Sequence, residues 1–212
     1  MGGDSDIDRP AAFAGRALAC RRGARLVFDG LDFAVEPGDV LLLRGPNGSG
    51  KSSLLRLMAG LLQPVAGAFS WAGAPIAAEP ERHRRRLAFL GHLDAVKPGL
   101  TVAENLRFWC GAGAVEKGLE AFGIAGLARL PARLLSAGQR RRLALARIAG
   151  ADAPLWLLDE PGNTLDAEAQ TLFAAALARH RSAGGLAVIA LHGEAAPPGA
   201  VALDLGRFAA AL

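Results

Sequence analysis

One run of nine residues constrains this chain more than any other: Gly45-Pro46-Asn47-Gly48-Ser49-Gly50-Lys51-Ser52-Ser53. It fits G-x-x-x-x-G-K-[ST], the phosphate-binding loop, which carries meaning only between a strand and a helix. Both flanks are legible. Val40 to Leu43 is apolar and reads as a buried strand, and Ser52 to Leu61 carries a helical pattern. The glycines let the backbone curl until several N–H groups face one anion. The helix N-terminus adds its partial positive charge. Lys51 then supplies a point charge for the β- and γ-phosphates, and Ser52 a hydroxyl for Mg²⁺. A glycine-rich turn with a chance Lys-Ser is the alternative, and the flanking pattern weighs against it.

A second constellation is Leu155-Trp156-Leu157-Leu158-Asp159-Glu160. Here a buried strand ends in two carboxylates, at the strand end where open α/β sheets place ligand groups. Asp159 would hold Mg²⁺, directly or through water, and Glu160 would orient or deprotonate the attacking water. Alone, this is an ordinary strand end with an acidic turn; the phosphate loop on the same chain changes its weight. A third is Leu135-Ser136-Ala137-Gly138-Gln139, where Ser136 is a good helix N-cap and small residues keep the helix start open. By itself it reads as a well-capped helix; beside the phosphate loop it is a second helix terminus suited to an anion.

Periodicity sets the frame around these sites. Ala17–Cys20, Arg25–Phe28 and Leu31–Val35 read as antiparallel strands, with Glu36-Pro37-Gly38-Asp39 as a turn. Gly67–Trp71, Leu87–Leu90, Leu155–Leu158, Leu186–Leu191 and Val201–Leu205 read as further strands. Helices are expected over Glu79–Arg86, Thr101–Trp109, Ser136 to about Gly150 and Asp166–Arg179, with short helices broken by glycine over Gly111–Pro131. Strands alternating with helices after position 40 predict an α/β fold with a mostly parallel core and an antiparallel β subdomain near the N-terminus.

The 212 residues suit one domain, and an apolar content of 51% is enough for a sizeable core. Residues 1–12 are expected to be a flexible tail, with residues 13–212 as one domain built on the phosphate loop and mostly helical over about 93–150. Met1 to Pro10 is acidic and polar, unlike a signal peptide. No apolar run reaches the roughly 18 residues that a membrane crossing needs. Two cysteines, Cys20 and Cys110, make no framework or ligand cluster, so a reducing compartment is expected. The formal charge of +4 suits an anionic ligand or a membrane surface without demanding nucleic acid. Two basic clusters, Arg82 to Arg86 and Arg140 to Arg142, read for the most part as solvated helix faces. For Arg82 to Arg86, contact with anionic lipid headgroups or an acidic partner loop is the sharper reading.

Leu135-Ser136-Ala137-Gly138-Gln139 resembles the signature motif of ABC-transporter ATPases, with Ala137 where glycine is commoner. Its place between the phosphate loop and Asp159-Glu160 matches that family, and the resemblance runs from about Leu18 to about Leu205. It implies an ABC-type nucleotide-binding domain of the P-loop NTPase fold, with an antiparallel β subdomain and a helical subdomain. It also implies ATP and Mg²⁺ as cofactors and a head-to-tail dimer with a second copy. Each ATP would lie between the loop of one copy and the signature helix of the other, with Ser136 and Gly138 touching the γ-phosphate and Gln139 beside them. Leu165-Asp166 resembles the loop that crosses the dimer interface, although Asn163-Thr164 departs from the usual Ser-Ala; Asp166 also reads as a helix N-cap. His192, after the strand, stands where the family has a histidine that contacts the γ-phosphate and the water. His92 stands where the family has a glutamine. Arg22 stands near the family's adenine-stacking aromatic, and a flat guanidinium there is as good a reading as a solvated loop arginine.

A narrower resemblance is to the ATP-binding subunits of the cytochrome c maturation system, the haem-exporter ATPases. It is carried by Leu90-Gly91-His92-Leu93-Asp94, by Val96-Lys97-Pro98-Gly99-Leu100-Thr101 and the run on to Phe108, and by Arg140-Arg141-Arg142 after the signature. It implies a peripheral subunit on the cytoplasmic face of a bacterial inner membrane, paired with membrane permease subunits of a haem-handling complex. ATP hydrolysis would serve haem export or release of a haem-loaded chaperone. His83, His92, His180 and His192 form no haem motif, so no direct haem binding is expected. The ATPase of another small-molecule exporter is the rival reading. Nucleic-acid partners are not expected: Lys51 and Ser136 stand 85 residues apart, too close for the long coiled coil of DNA-repair members.

Overall fold

A computed structural model of the chain describes residues 11–191 and 196–209. They divide into two compact units. The first takes the described residues up to Phe89, Ala153–Asp159 and those from Arg181 onward; the second is Leu90–Asp152 with Glu160–His180.

The first unit opens with a long hairpin of β1 (Phe13–Arg22) and β2 (Arg25–Val35). Pairing runs from Phe13↔Val35 to Arg22↔Arg25 around Gly23-Ala24. The sequence pattern splits β2 in two at Asp29-Gly30, but the chain runs through as one strand. Gly30 takes a φ of 65° and the register shifts between Leu18↔Leu31 and Cys20↔Phe28. The irregularity is a bulge, absorbed by the one residue free to adopt that backbone. After β3 (Val40–Arg44) and α1 (Lys51–Met58), β4 (Ala66–Trp71) and β5 (Ala74–Pro75) complete an antiparallel sheet of order β2-β1-β4-β5.

Helix α1 ends three residues before the apolar pattern does. Gly60 takes φ 68°, its N–H donates to Leu57 O and the Leu61 N–H donates to Arg56 O. This is a Schellman stop, set by the glycine and not by hydrophobicity. Leu61 is left 62% exposed.

A short α2 (Pro80–Arg85) leads to β6 (Leu87–Leu90). The five-stranded sheet has order β6-β7-β8-β3-β9, with β7 (Leu155–Asp159), β8 (Leu186–Ala190) and β9 (Val201–Asp204). Strand β3 pairs in parallel with both β8 and β9, and β7 with β8. Strands β3, β7 and β8 read as unbroken apolar runs because both of their faces are buried. Leu41, Leu43, Leu157 and Val188 share a core with Leu54 and Met58 of α1 and with Phe13, Phe33 and Phe69 of the antiparallel sheet.

The second unit is helical: α3 (Val102–Cys110), α4 (Val115–Ala121), α5 (Ala137–Gly150) and most of α6 (Ala167–Ser182). Thr101 opens α3 with a reciprocal capping box to Glu104. Buried Asn105 fastens the segment before it, accepting from the Lys97 N–H at 2.8 Å and donating to Lys97 O at 3.0 Å and Thr101 O at 3.0 Å.

Candidate functional site

The phosphate loop leaves the C-terminal end of β3 and runs straight into α1. Gly50 is the N-cap, with φ 101° and no side chain capping the helix. A Cβ at Gly50 would lie 2.7 Å from Val27 Cγ1, so only glycine lets the loop close on the β1–β2 hairpin. A Cβ at Gly45 would lie 2.7 Å from Ser49 Oγ. The first N–H groups of α1 therefore have no side-chain acceptor, which is the condition for an anion site.

Lys51 is 6% exposed and folded back on its own loop, donating from Nζ to Gly45 O at 2.7 Å and to Pro46 O at 3.2 Å. Ser49 Oγ is buried and has no hydrogen-bond partner among the described residues. A buried hydroxyl is ordinarily satisfied, so Ser49, a lysine resting on carbonyls and a helix start without a side-chain cap fit an anionic group at this loop. Ser52 is half-buried at the start of α1, while Ser53 turns inward to hydrogen-bond Cys20.

Register places Asp159 on the same side of the sheet. Asp159 is level with Ala190 of β8, and Ala190 is level with Leu43 of β3, two residues before Gly45. Asp159 is thus two strands across from the loop's point of departure, about 10 Å at the usual strand spacing. It is buried, at the C-terminal edge of a parallel sheet. One hydroxyl and one carboxylate make a sparse oxygen donor set, of the kind that suits Mg²⁺ completed by phosphate oxygens and water.

The second unit carries Glu160, the cap of α5 and the loop from Pro161 to Asp166. Glu160 has φ 49°, a left-handed backbone unusual outside glycine and characteristic of functional sites. Its carboxylate accepts from Asn163 Nδ2. Asn163, which departs from the family pattern, thus holds the carboxylate three residues before it. Thr164 is also left-handed, at φ 65°.

Ser136 and Gln139 make a full capping box at α5: the Gln139 N–H donates to Ser136 Oγ at 3.2 Å, and the Ser136 N–H to Gln139 Oε1 at 3.0 Å. Ser136 and Ala137 are exposed. Asp166 is indeed an N-cap, accepting from the Ala169 N–H at 2.8 Å. It also pairs with Arg142 at 2.7 Å. The Ala169 N–H first, and then Arg142, hold its carboxyl below the usual carboxylate range.

The solvated reading, made for most of the cluster arginines, does not extend to Arg86, 7% exposed, or to Arg141. Arg141 is 4% exposed. Its guanidinium donates to Asp94 Oδ1 at 2.8 Å, to Pro161 O at 3.3 Å and to Glu160 O. The signal was present: Arg141, Ala144, Leu145 and Ile148 fall on one buried stripe of α5 at helical spacing.

Two candidates lie on exposed segments, Arg22 at the tip of the hairpin and His92 in the turn after β6. His192 lies outside the described residues.

Similarity to known proteins gives the family and the fold. Residues 28–163 match the family described as ABC transporter. The chain belongs to the ABC transporter family, and within it to the family of the relatives that follow. It is 52% identical to the cytochrome c biogenesis ATP-binding export protein CcmA of Rhodospirillum rubrum, over 95% of this chain and 89% of that one. It is 50% identical to the protein of the same name from Paramagnetospirillum magneticum, over 95% and 97%. Among solved structures it superposes on a putative ABC transporter ATP-binding protein from Pyrococcus furiosus with a TM-score of 0.81 at 21% identity, covering 94% of this chain and all of that one. The structure of an ATP-binding subunit of an ABC transporter gives 0.78 at 24% identity, over 85% of this chain and 79% of the other. These two share the fold. The chain is accordingly an ABC ATPase, and ATP is its nucleotide.

Proposed function

We propose that this chain is the ATP-hydrolysing subunit of a membrane ABC complex serving haem export, or release of a haem-loaded chaperone, in c-type cytochrome biogenesis. The observation that carries the reading is the similarity, over 95% of the chain, to relatives named for that process. The phosphate cradle supports the enzymatic half of it. A second copy would supply Ser136 and Gly138 across a head-to-tail interface. Membrane permease subunits would receive the work, with this chain peripheral on the cytoplasmic face of the inner membrane and binding no haem itself. Among the described residues, no helix is long and apolar enough to cross a membrane.

Each side chain then has a task. Lys51 leaves Gly45 O and Pro46 O and turns its ammonium toward the β- and γ-phosphates. Ser49 Oγ gains the partner it lacks, and the first N–H groups of α1 face the same anion. Ser52 and Asp159 would hold Mg²⁺, which when bound neutralises charge on the β- and γ-oxygens. Glu160 takes the proton of the attacking water, and His192 touches the γ-phosphate. Gln139 caps the signature helix, Asp166 the helix at the copy interface, and Arg22 lies against the adenine. His92, in the turn after β6, would take the part of the glutamine that the family has at its position.

The test is made in the parent bacterium. With Lys51→Ala, membranes are stained for covalently bound haem. The expected result is loss of all c-type cytochromes while other haem proteins stay normal. Unchanged staining would remove the haem pathway and leave the ATPase of another small-molecule exporter in its place.

A further inference from the structure

We infer that Arg141 is a positioning residue for Glu160, and that Asp94 sets where Arg141 stands. The inference rests on the reading of Glu160 as the group that activates water.

Three observations converge. First, Arg141 is nearly fully buried, and such a charge persists only when it is paired and hydrogen-bonded. Its planar fork spans two successive backbone carbonyls, Glu160 O and Pro161 O, while its other edge meets the Asp94 carboxylate at 2.8 Å. A lysine has no such geometry.

Second, Glu160 sits at φ 49°, a conformation that survives only where the surroundings over-determine it. Arg141 holds the main chain of Glu160 and Asn163 holds its carboxylate. The direction in which the carboxylate points follows from the backbone that Arg141 fixes.

Third, Asp94 does not belong to the same local structure as Glu160. It lies on the segment between β6 and α3, which Asn105 fastens at its far end. A shift of that segment moves Asp94, and Arg141 is the side chain through which the shift reaches Glu160. Arg141 bonds the backbone of Glu160 and Pro161 and the Asp94 carboxylate, so its effect on hydrolysis runs through the placement of Glu160.

The experiment uses the complex purified from its own cells, with Mg-ATP as the probe. Turnover, KM and ATP affinity are measured for the wild type, Asp94→Asn, Arg141→Lys and the double variant. Asp94→Asn keeps the shape and removes the charge; Arg141→Lys keeps the charge and removes the fork. A misplaced catalytic group costs up to about 100-fold in rate. The expected result is a kcat lowered by at least about tenfold in each single variant, with KM and ATP affinity within about twofold of wild type. The double variant is expected to be no slower than Arg141→Lys, since both act through one contact. Wild-type kcat in either variant overturns the inference. So does a parallel fall of kcat and ATP affinity, which marks a general structural defect. Should Arg141→Lys fail to assemble, Asp94→Asn decides alone by the same criteria. A wild-type complex that binds ATP without hydrolysing it is a different result, since it overturns the enzymatic reading and the role of Glu160 together.

Discussion

His83 sits wholly inside the first unit, 2% exposed, with its ring 5.8 Å from that of Phe13 and nearly parallel to it. Its Nε2 lies 2.7 Å from Met58 O; a carbonyl only accepts, so Nε2 carries a proton and donates it there. Nδ1 has no partner among the described residues, so protonating it would place a charge where nothing answers it. Burial pushes the His83 pKa below its ordinary 6.5; the Met58 carbonyl opposes this, and Arg86 adds to it. The sign follows from linkage. Below about pH 6.5 the unfolded chain takes up this proton while the folded chain still refuses it, so stability is full above 6.5 and falls as pH drops toward the folded value. Thermal melts from pH 7.5 down to pH 5 should therefore show a falling Tm. His83→Gln keeps a donor for Met58 O and does not titrate, so its fall should be shallower. Equal slopes for the two proteins would mean that other groups carry the acid sensitivity.

Two helices of the second unit begin with the same device, which separates capping from chemistry. Thr101 and Glu104 cap α3, and Ser136 and Gln139 cap α5, each box closed in both directions. Thr101→Ala and Ser136→Ala should each destabilise by about 1 kcal/mol, read as a similar loss in chemical denaturation. Only Ser136→Ala should also abolish ATP hydrolysis in the assembled complex, because only Ser136 is assigned to the nucleotide of a second copy. Equal activities in the two variants would reduce Ser136 to a cap. The elements themselves were largely legible in the sequence. Alternating and unbroken apolar runs marked strands β3, β6, β7 and β8, and Thr101 and Ser136 marked helix starts. What the pattern missed has local physical causes. Leu61 and Leu62 continue an apolar run that Gly60 has already stopped, and a bulge at Gly30 keeps β2 whole where the pattern breaks between Phe28 and Leu31. Arg141 was misjudged because three consecutive arginines look like a solvated face, whereas helical spacing sends the middle one inward. The bond between Asn163 and Glu160 forms beside two left-handed residues, Glu160 and Thr164, a backbone state that neither residue type favours and that periodicity does not signal.

At the scale of the whole chain, the sites divide between the units. The phosphate loop and Asp159 belong to the first; Glu160, the signature cap and Arg141 belong to the second. A nucleotide that engages the cradle stabilises the folded state in proportion to its occupancy, whatever happens afterward. At 100 times its dissociation constant that linkage amounts to about 2.7 kcal/mol. For a chain of this size each kcal/mol shifts Tm by roughly 2–4 °C, so a rise of roughly 5–10 °C is expected. The measurement is a thermal melt of Glu160→Gln with and without Mg-ATP, since this change removes the proposed base while leaving every group of the cradle in place. Lys51→Ala in the same background should lose most of the rise. That variant removes the one cation that now rests on Gly45 O and Pro46 O, so its own Tm without nucleotide is the necessary baseline. A full rise in the Lys51→Ala chain would show that ATP binds without the lysine, and the cradle as drawn would be wrong. An absent rise in Glu160→Gln alone would show that the isolated chain does not hold ATP, which would place the intact nucleotide site in the assembly and not in the single copy.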